Sequence, residues 1–537
     1  MIKNTSRFLI AGLLIAWFVD FLFYKKPFGI AFTLWVFITV AVLFIISYLE
    51  KIKPHRLSYV LAGVAIVLSS ASFLRMEPFT QTISALASLA LMMLVTITFR
   101  DGHWPYFRLL DYVLKGLKWL LTIFSIPWPV IFQGQKKNNQ EENSDNVESK
   151  PQNKRAVWPI LRGLLLSIPI LLVLASLLAS ADPIFEKGLN DFFKIFQIEN
   201  IAEYIFRLVN ILLMGYLFIG VLIQAIYPKN QDPQPQPNQP SFSKFLGSVE
   251  AKIVFISINL LFAAFLVIQF RYFFGGQANI SETGFTYSEY ARRGFGEIIT
   301  VAVLSLLIYY VFHSITRLES TNQKQWFSGL SILVFVQVLV MLVSSYQRLV
   351  LYEQAYGFSR LRTYSHLFLP WLAVLIILVI ILELVQRQGH LAFTIVAVAA
   401  GFVITCIAFN IDGFIAKQNI QRATLSDQEG YALDFYYISE LSSDAVPVIL
   451  ESYLEDNSST KDLLGANLSC RWNEIQKQET RPWQSFNISR ARSVSLLNQY
   501  QQKWQQYPIQ QDESRVDDYV LVVGEKYFCA NHANWID

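Results

Sequence analysis

The sequence predicts an all-α polytopic membrane protein of about eleven transmembrane helices, followed by a mainly helical soluble C-terminal domain that ends in a short β-hairpin. Three observations lead there. Of the 537 residues, 53% are hydrophobic and only 16% are charged, whereas soluble domains carry about 25% charged residues. Apolar runs of about 18 residues or more, long enough to cross a hydrocarbon core as a helix, recur along the first three quarters of the chain. The charge balance also changes near Asn410. Residues 1–410 hold 33 Lys and Arg against 22 Asp and Glu, and residues 411–537 hold 11 against 18.

The elements follow in order. Apolar runs at 7–24, 28–49, 57–74 and 79–98 make an N-terminal four-span region over 1–98. No small-residue cleavage site follows the first run, so no signal peptide is read there. Residues 99–156 form a connecting region. Within it, "WPYFRLLDYVLKGLKWLLTIF" (104–124) has helical spacing of apolar residues with Arg108, Asp111, Lys115 and Lys118 elsewhere. That pattern suits a helix lying on the membrane face or packed against other spans. "GQKKNNQEENSDNVESKPQNKR" (134–155) has no apolar face and reads as a disordered linker.

A seven-span membrane core is expected over 157–411, with runs at 157–180, 203–227, 251–274, 296–313, 327–350, 367–385 and 391–411. In "ASADPIFEKGLNDFFKIF" (179–196), Asp182 can cap a helix and Pro183 suits its first position. The Pro/Gln-rich segment 228–246 should be extended. The tail, 412–537, shows helical periodicity at 431–441, 446–454, 463–475 and 488–504. "YVLVVGEKYFC" (519–529) reads as a hairpin with its turn at 524–526.

Lys and Arg collect in cytoplasmic loops. With the N-terminus inside and eleven spans, the larger share of them falls in the inside loops, nearly half of that share in 99–156. The odd span count then places the C-terminal domain outside the cytoplasm. Cys470 and Cys529, both in the tail, are candidates for a disulfide in an oxidising compartment, against the alternative of two unpaired buried thiols. Cys406 lies in the last span. The partners expected are the lipid bilayer and membrane or envelope proteins. Nucleic acid is excluded for the acidic tail by like charge.

The usual catalytic signatures are missing. There is no phosphate-binding G-x-x-x-x-G-K-[ST] loop, no H-E-x-x-H, no G-x-S-x-G and no C-x-x-C. The six His are scattered without metal-ligand spacing. No catalytic, cofactor-binding or metal residue is assigned, and no cofactor is expected. Ionisable and amide residues inside spans are few: Asp20, Arg207, Asn210, Gln224, Asn259, Gln269 and Gln337, with Glu383 spaced to pair with Arg387. The densest charge cluster is "YSEYARRGFGEI" (287–298). On a continuous helix Glu289, Arg293 and Glu297 stack at i, i+4 and i+8, Tyr290 and Gly294 form a neighbouring stripe, and Arg292 points elsewhere. This is either a self-neutralising ladder at a helix entrance or a site for phosphate or carboxylate. A second group, Arg348, Glu353, Arg360 and Arg362 with Tyr352, Tyr356 and Tyr364, falls on the same side.

"GFTYSEYARRGFGEI" (284–298) resembles the signature of uncharacterised bacterial multi-pass membrane proteins, the domain of unknown function 4153/4173 group. The resemblance extends to "SADPIF" (180–185), "NIDGFIAKQNIQR" (410–422), "DFYYISELSSDAVP" (434–447) and "WQSFNISRAR" (483–492). It implies a bacterial cell membrane location and supplies no activity. The functional expectation is a non-enzymatic envelope scaffold or signalling component. The alternatives are a transporter with its site among spans six to nine and, third, a membrane enzyme acting on a lipid or phosphate-bearing substrate at the outer face.

Overall fold

A computed structural model of the chain describes residues 4–132, 201–228, 244–274, 295–425, 432–455, 460–477, 481–512 and 517–529, with scattered positions between 167 and 188. Among the described residues, ten helices are long and apolar enough to cross a membrane. The run expected at 157–180 is described only at scattered positions, which are helical at Ser167, Leu171, Leu174 and Leu178. The chain divides into two compact units, Met1–Asp20 with Ile123–Gly220, and Phe21–Thr122 with Val221–Asp537.

In the first unit, α1 (Thr5–Phe23) and the helix Ile201–Ile226 approach closely through small residues. A methyl group on Gly12 would lie 3.0 Å from the Gly215 carbonyl oxygen and 2.5 Å from Ile219 Cγ1. Glycine there lets the backbones meet, which is how helices gain van der Waals contact in lipid. The two intramembrane charges pair across this contact: Arg207 Nε lies 3.0 Å from Asp20 Oδ2. The two lie 187 residues apart in sequence, so their pairing carries no local sequence signal.

In the second unit, α2 (Ile30–Leu49) packs on α3 (Arg56–Ser69), which packs on α5 (Pro78–Ile97). The run expected as one span at 57–74 is one crossing helix, Arg56–Leu74, with a turn at Ser70 that divides α3 from α4 (Ala71–Leu74). Hydroxyls of Ser69, Ser70 and Ser72 bond back to the carbonyls of Ile66, Val67 and Ser69, an alternative to the helical ladder. The amphipathic segment 104–124 also divides, into a short turn at Trp104–Tyr106 and α6 (Leu109–Ser125); α7 (Pro127–Phe132), next in the chain, belongs to the first unit. The helix Ile201–Ile226 is α8.

The remaining membrane helices are α9 (Ser248–Phe274), α10 (Phe295–Ile315), α11 (Thr321–Tyr356), α12 (Arg360–Leu384) and α13 (Leu391–Ala408). Their shared core holds Phe255, Phe335, Val338, Leu349, Leu369 and Ile376. Outward-facing Ile253, Leu260, Leu261 and Val267 on α9 are exposed, as lipid-facing positions of a span must be, since only its backbone needs internal partners. With 36 residues, α11 is about 54 Å long against a hydrocarbon core of about 30 Å. It outruns the 24-residue span expected at 327–350, because polar residues at both ends extend the helix beyond the apolar run. Ser320 and Gln323 close a capping box at its start.

The tail begins one helix earlier than its periodicity suggested, with α14 (Ile411–Leu425). Then come α15 (Phe435–Glu440), α16 (Val446–Glu455), α17 (Thr460–Lys477), α18 (Ile488–Gln499) and α19 (Gln501–Trp504). The expected hairpin is part of a three-stranded antiparallel sheet of β1 (Ile509–Asp512), β2 (Asp517–Val522) and β3 (Glu525–Phe528), with Val520 opposite both Ile509 and Tyr527. Its turn falls at Val523 and Gly524, slightly before the expected place. β1 is too short and polar to announce itself. Cys470 on α17 and Cys529 beyond β3 are bonded, with Cα atoms 5.4 Å apart. The tail core, including Ile415, Ile449, Leu464, Leu497, Trp504 and Val520, is continuous with Tyr364 of α12 and Cys406 of α13.

Candidate functional site

Of the charged stretch at 287–298, Glu289, Tyr290, Arg292, Arg293 and Gly294 lie outside the described residues. Glu297 sits in the first turn of α10, where a negative charge suits the helix dipole. The richest polar arrangement lies instead where the tail meets the second unit's membrane helices, and it starts from two aspartates.

Asp412, in the first turn of α14, is fully buried. Its Oδ1 and Oδ2 accept from Arg360 Nε at 2.9 Å and Nη2 at 2.7 Å, and Oδ2 also accepts from Ser442 N at 2.7 Å. Arg360 opens α12, and its Nη2 also reaches the Glu440 carbonyl at 3.0 Å. The fork geometry of guanidinium thus ties a membrane helix to the tail bidentately. Asp444 Oδ2 accepts from Met76 N at 2.7 Å and Glu77 N at 3.0 Å, the two backbone donors just before α5. Burial pushes the Asp444 carboxyl up, against the pull of those donors and of Arg75 at 3.9 Å. Arg75 spends its other donors on Ile407 and Ala408 carbonyls at 2.8 and 2.7 Å, capping the negative end of α13.

Glu77 caps α5, accepting from Phe79 N at 3.0 Å and Thr80 N at 2.7 Å, and also accepts from the Tyr364 hydroxyl. Ser485 Oγ donates to the Pro27 carbonyl at 2.8 Å, Ile30 N donates to the Phe486 carbonyl at 2.9 Å, and Asn487 Nδ2 reaches the Arg75 carbonyl at 2.8 Å. A Cβ on Gly29 would stand 2.5 Å from the Ser485 backbone, so only glycine admits this approach. Inside the tail, Arg471 donates to Ile438 and Leu441 carbonyls, each at 2.8 Å, and to Asn467 Oδ1 at 2.9 Å. Burial lowers its pKa to about 10.

The second group named from sequence is dispersed into structural roles. Arg362 donates to the Tyr356 and Gly357 carbonyls at the end of α11 and lies over the Tyr352 ring at 4.1 Å. Glu353 is 2% exposed and its Oε2 lies 3.1 Å from His366 Nδ1, while Tyr346 binds the other ring nitrogen. Arg348 Nη2 donates to Gln269 Oε1 at 2.7 Å. Glu383 does not pair with Arg387, because α12 ends at Leu384 and breaks the i, i+4 spacing. Its carboxylate accepts from Tyr309 and Ser328 hydroxyls instead. Among the described residues, no group of three His, Cys, Asp or Glu is placed to hold a metal ion.

Asp412, Asp444 and Glu77 belong to no motif that assigns them a role from sequence. One local signal existed for Asp412: a lone acid among Ile411, Gly413, Phe414 and Ile415. Its partners, 52 and 30 residues away, leave no spacing rule to find.

These helices and this buried junction define a multi-pass integral membrane protein whose C-terminal domain is fastened to its membrane helices. The chain matches the family model described as Domain of unknown function (DUF4153) over residues 62–452. It belongs to that family. The match starts well before the motifs quoted from sequence, taking in the third and fourth spans, and ends before "WQSFNISRAR". No curated protein and no solved structure matches the chain.

Proposed function

We propose that this protein is a non-enzymatic scaffold or signalling component of a bacterial cell envelope, held in the inner membrane with its N-terminus cytoplasmic. The reading divides it into a four-span region (1–98), a cytoplasmic connecting region (99–156), a seven-span core (157–411) and an extracytoplasmic domain (412–537). The observation that carries it is the seating of the tail on three loops at one end of the spans, through Asp412–Arg360, the Asp444 carboxylate on Met76 and Glu77, and the Gly29–Ser485 contact. A domain held by buried polar bonds presents a fixed surface to partner proteins of the envelope. It also couples any force or ligand on that surface to α5, α12 and α13.

An enzyme at this face would need an acid such as Glu289 or Glu353 within reach of substrate; Glu289 lies outside the described residues, and Glu353 is buried against His366. The transporter reading has one observation in its favour. Asn259 Oδ1 and Gln337 Oε1, buried on α9 and α11, have no hydrogen-bond partner, although both amide nitrogens bond to backbone carbonyls. Photo-crosslinking residues placed at exposed tail positions such as Tyr436 and Trp483 should yield discrete protein adducts in native membranes. Purified protein in liposomes should move no solute. Solute uptake that Asn259→Ala or Gln337→Ala abolishes would replace the scaffold with a transporter.

A further inference from the structure

At the end of the second unit's spans away from the tail lies a cavity of about 490 Å³, between the end of α10, the start of α11 and the end of α12. Lys244, Lys324 and Arg108 line it, and so does Glu383. Among the described residues, Lys244 and Lys324 have no ion-pair partner. The backbone carrying Lys244 is fixed: Phe245 N donates to the Ile315 carbonyl at 3.0 Å, and Arg317 N to that of Leu246 at 2.9 Å. Glu383 is 1% exposed, held by the Tyr309 and Ser328 hydroxyls. Two further lining groups, His313 Nδ1 and the Tyr310 hydroxyl, are buried without a hydrogen-bond partner.

The charge pattern selects the ligand. A bare anion would suit the lysines but meet the buried carboxylate. A bare cation would suit Glu383 but meet the lysines. A zwitterion satisfies both, provided its cationic end can donate hydrogen bonds to a carboxylate whose oxygens already accept from hydroxyls. Lysine ammoniums are point charges well suited to phosphate. We propose that this cavity binds a phosphate ester bearing a primary amine, of the phosphoethanolamine type, with phosphate at Lys244 and Lys324 and the ammonium at Glu383. His313 and Tyr310 would meet the ester oxygens. The ligand is either the headgroup of an aminophospholipid entering from the adjacent leaflet or the free phosphate ester.

The test is thermal melting of the full chain, in detergent with free phosphoethanolamine, ethanolamine or inorganic phosphate, and in nanodiscs of phosphatidylethanolamine, phosphatidylcholine or phosphatidylglycerol. Phosphatidylethanolamine should stabilise the protein above the other two lipids, because choline cannot donate a hydrogen bond and glycerol carries no charge. Stabilisation by free phosphoethanolamine as well identifies a soluble ligand, and stabilisation by the lipid alone identifies a headgroup. Lys244→Gln and Lys324→Gln should each weaken binding by about tenfold, the loss of one charge-assisted contact. Glu383→Gln should abolish the preference for the amine while phosphate binding persists. Its melting without ligand reports whether it folds, and Lys324→Gln, at a helix start, keeps the test open if it does not. Equal stabilisation by all three lipids with no effect of free phosphoethanolamine, or an undiminished amine preference in a folded Glu383→Gln, overturns the proposal.

Discussion

Asp412 is the residue on which the junction depends most. Its carboxylate is fully buried and serves three donors. Removing it leaves the Arg360 guanidinium without its counter-charge, which costs about 3–5 kcal/mol in comparable buried pairs. Asp412→Ala should therefore melt well below wild type in detergent, and the double variant Arg360→Met, Asp412→Leu should recover much of the loss, because no charge is then stranded. If the double variant melts as low as the single one, packing and not charge holds this contact. Glu474 on α17 gives a second test, in pH. Burial pushes its carboxyl up, against Arg471, Arg490 and Arg481. A carboxyl raised above its unfolded value binds its proton more tightly in the folded state. Its contribution is therefore largest below the unfolded pKa and shrinks as pH rises through the folded one. Relative to Glu474→Gln, wild type should gain in melting temperature as pH falls from 7 toward 4.

Elements were legible where one physical signal dominates. Spans announce themselves by unbroken apolarity, so among the described residues all ten helices long enough to cross appear where the runs lie. The tail helices α16 and α17 follow their apolar periodicity to within a few residues, and the run at 488–504 is divided at Tyr500 into α18 and α19. What sequence missed was set by tertiary contact. Hydroxyls bonding backward put a turn into the third span at Ser70, α11 outgrows its apolar run by polar turns at each end, and α14 packs between α12 and the tail helices. The junction itself was illegible, since Asp444 seats on Met76 and Glu77 more than 360 residues away. The bond between Cys470 and Cys529 ties α17 to the sheet across 59 residues of chain. In the chain-entropy account, closing a loop of that length stabilises by about 4 kcal/mol. Cys470→Ser should lower the tail's melting by a corresponding margin, and non-reducing mass spectrometry of cells trapped before lysis should recover the linked peptides. Both thiols free would show that the tail resides in a reducing compartment.

For the molecule as a whole, sidedness is the first quantity to measure. Loop charge and the cysteine pair support an extracytoplasmic tail. A reporter active only in the cytoplasm, fused after Asp537, should stay silent, and strong activity from an intact fusion would invert the topology. The Gly29 contact bears on how the protein is made. The loop before α2 leaves the ribosome 458 residues ahead of the Ser485 backbone that covers it, counted from Pro27 to Ser485. Until synthesis passes residue 487, Ile30 N lacks the Phe486 carbonyl and the Ser72 carbonyl lacks the Asn487 amide, while the Arg75 carbonyl has the Gln81 amide but not that of Asn487. The tail thus acts as a completion seal. A chain stopped at residue 430 should insert all its spans yet display an unfinished surface, and membrane quality-control proteases should clear it faster than full-length protein in a pulse-chase experiment.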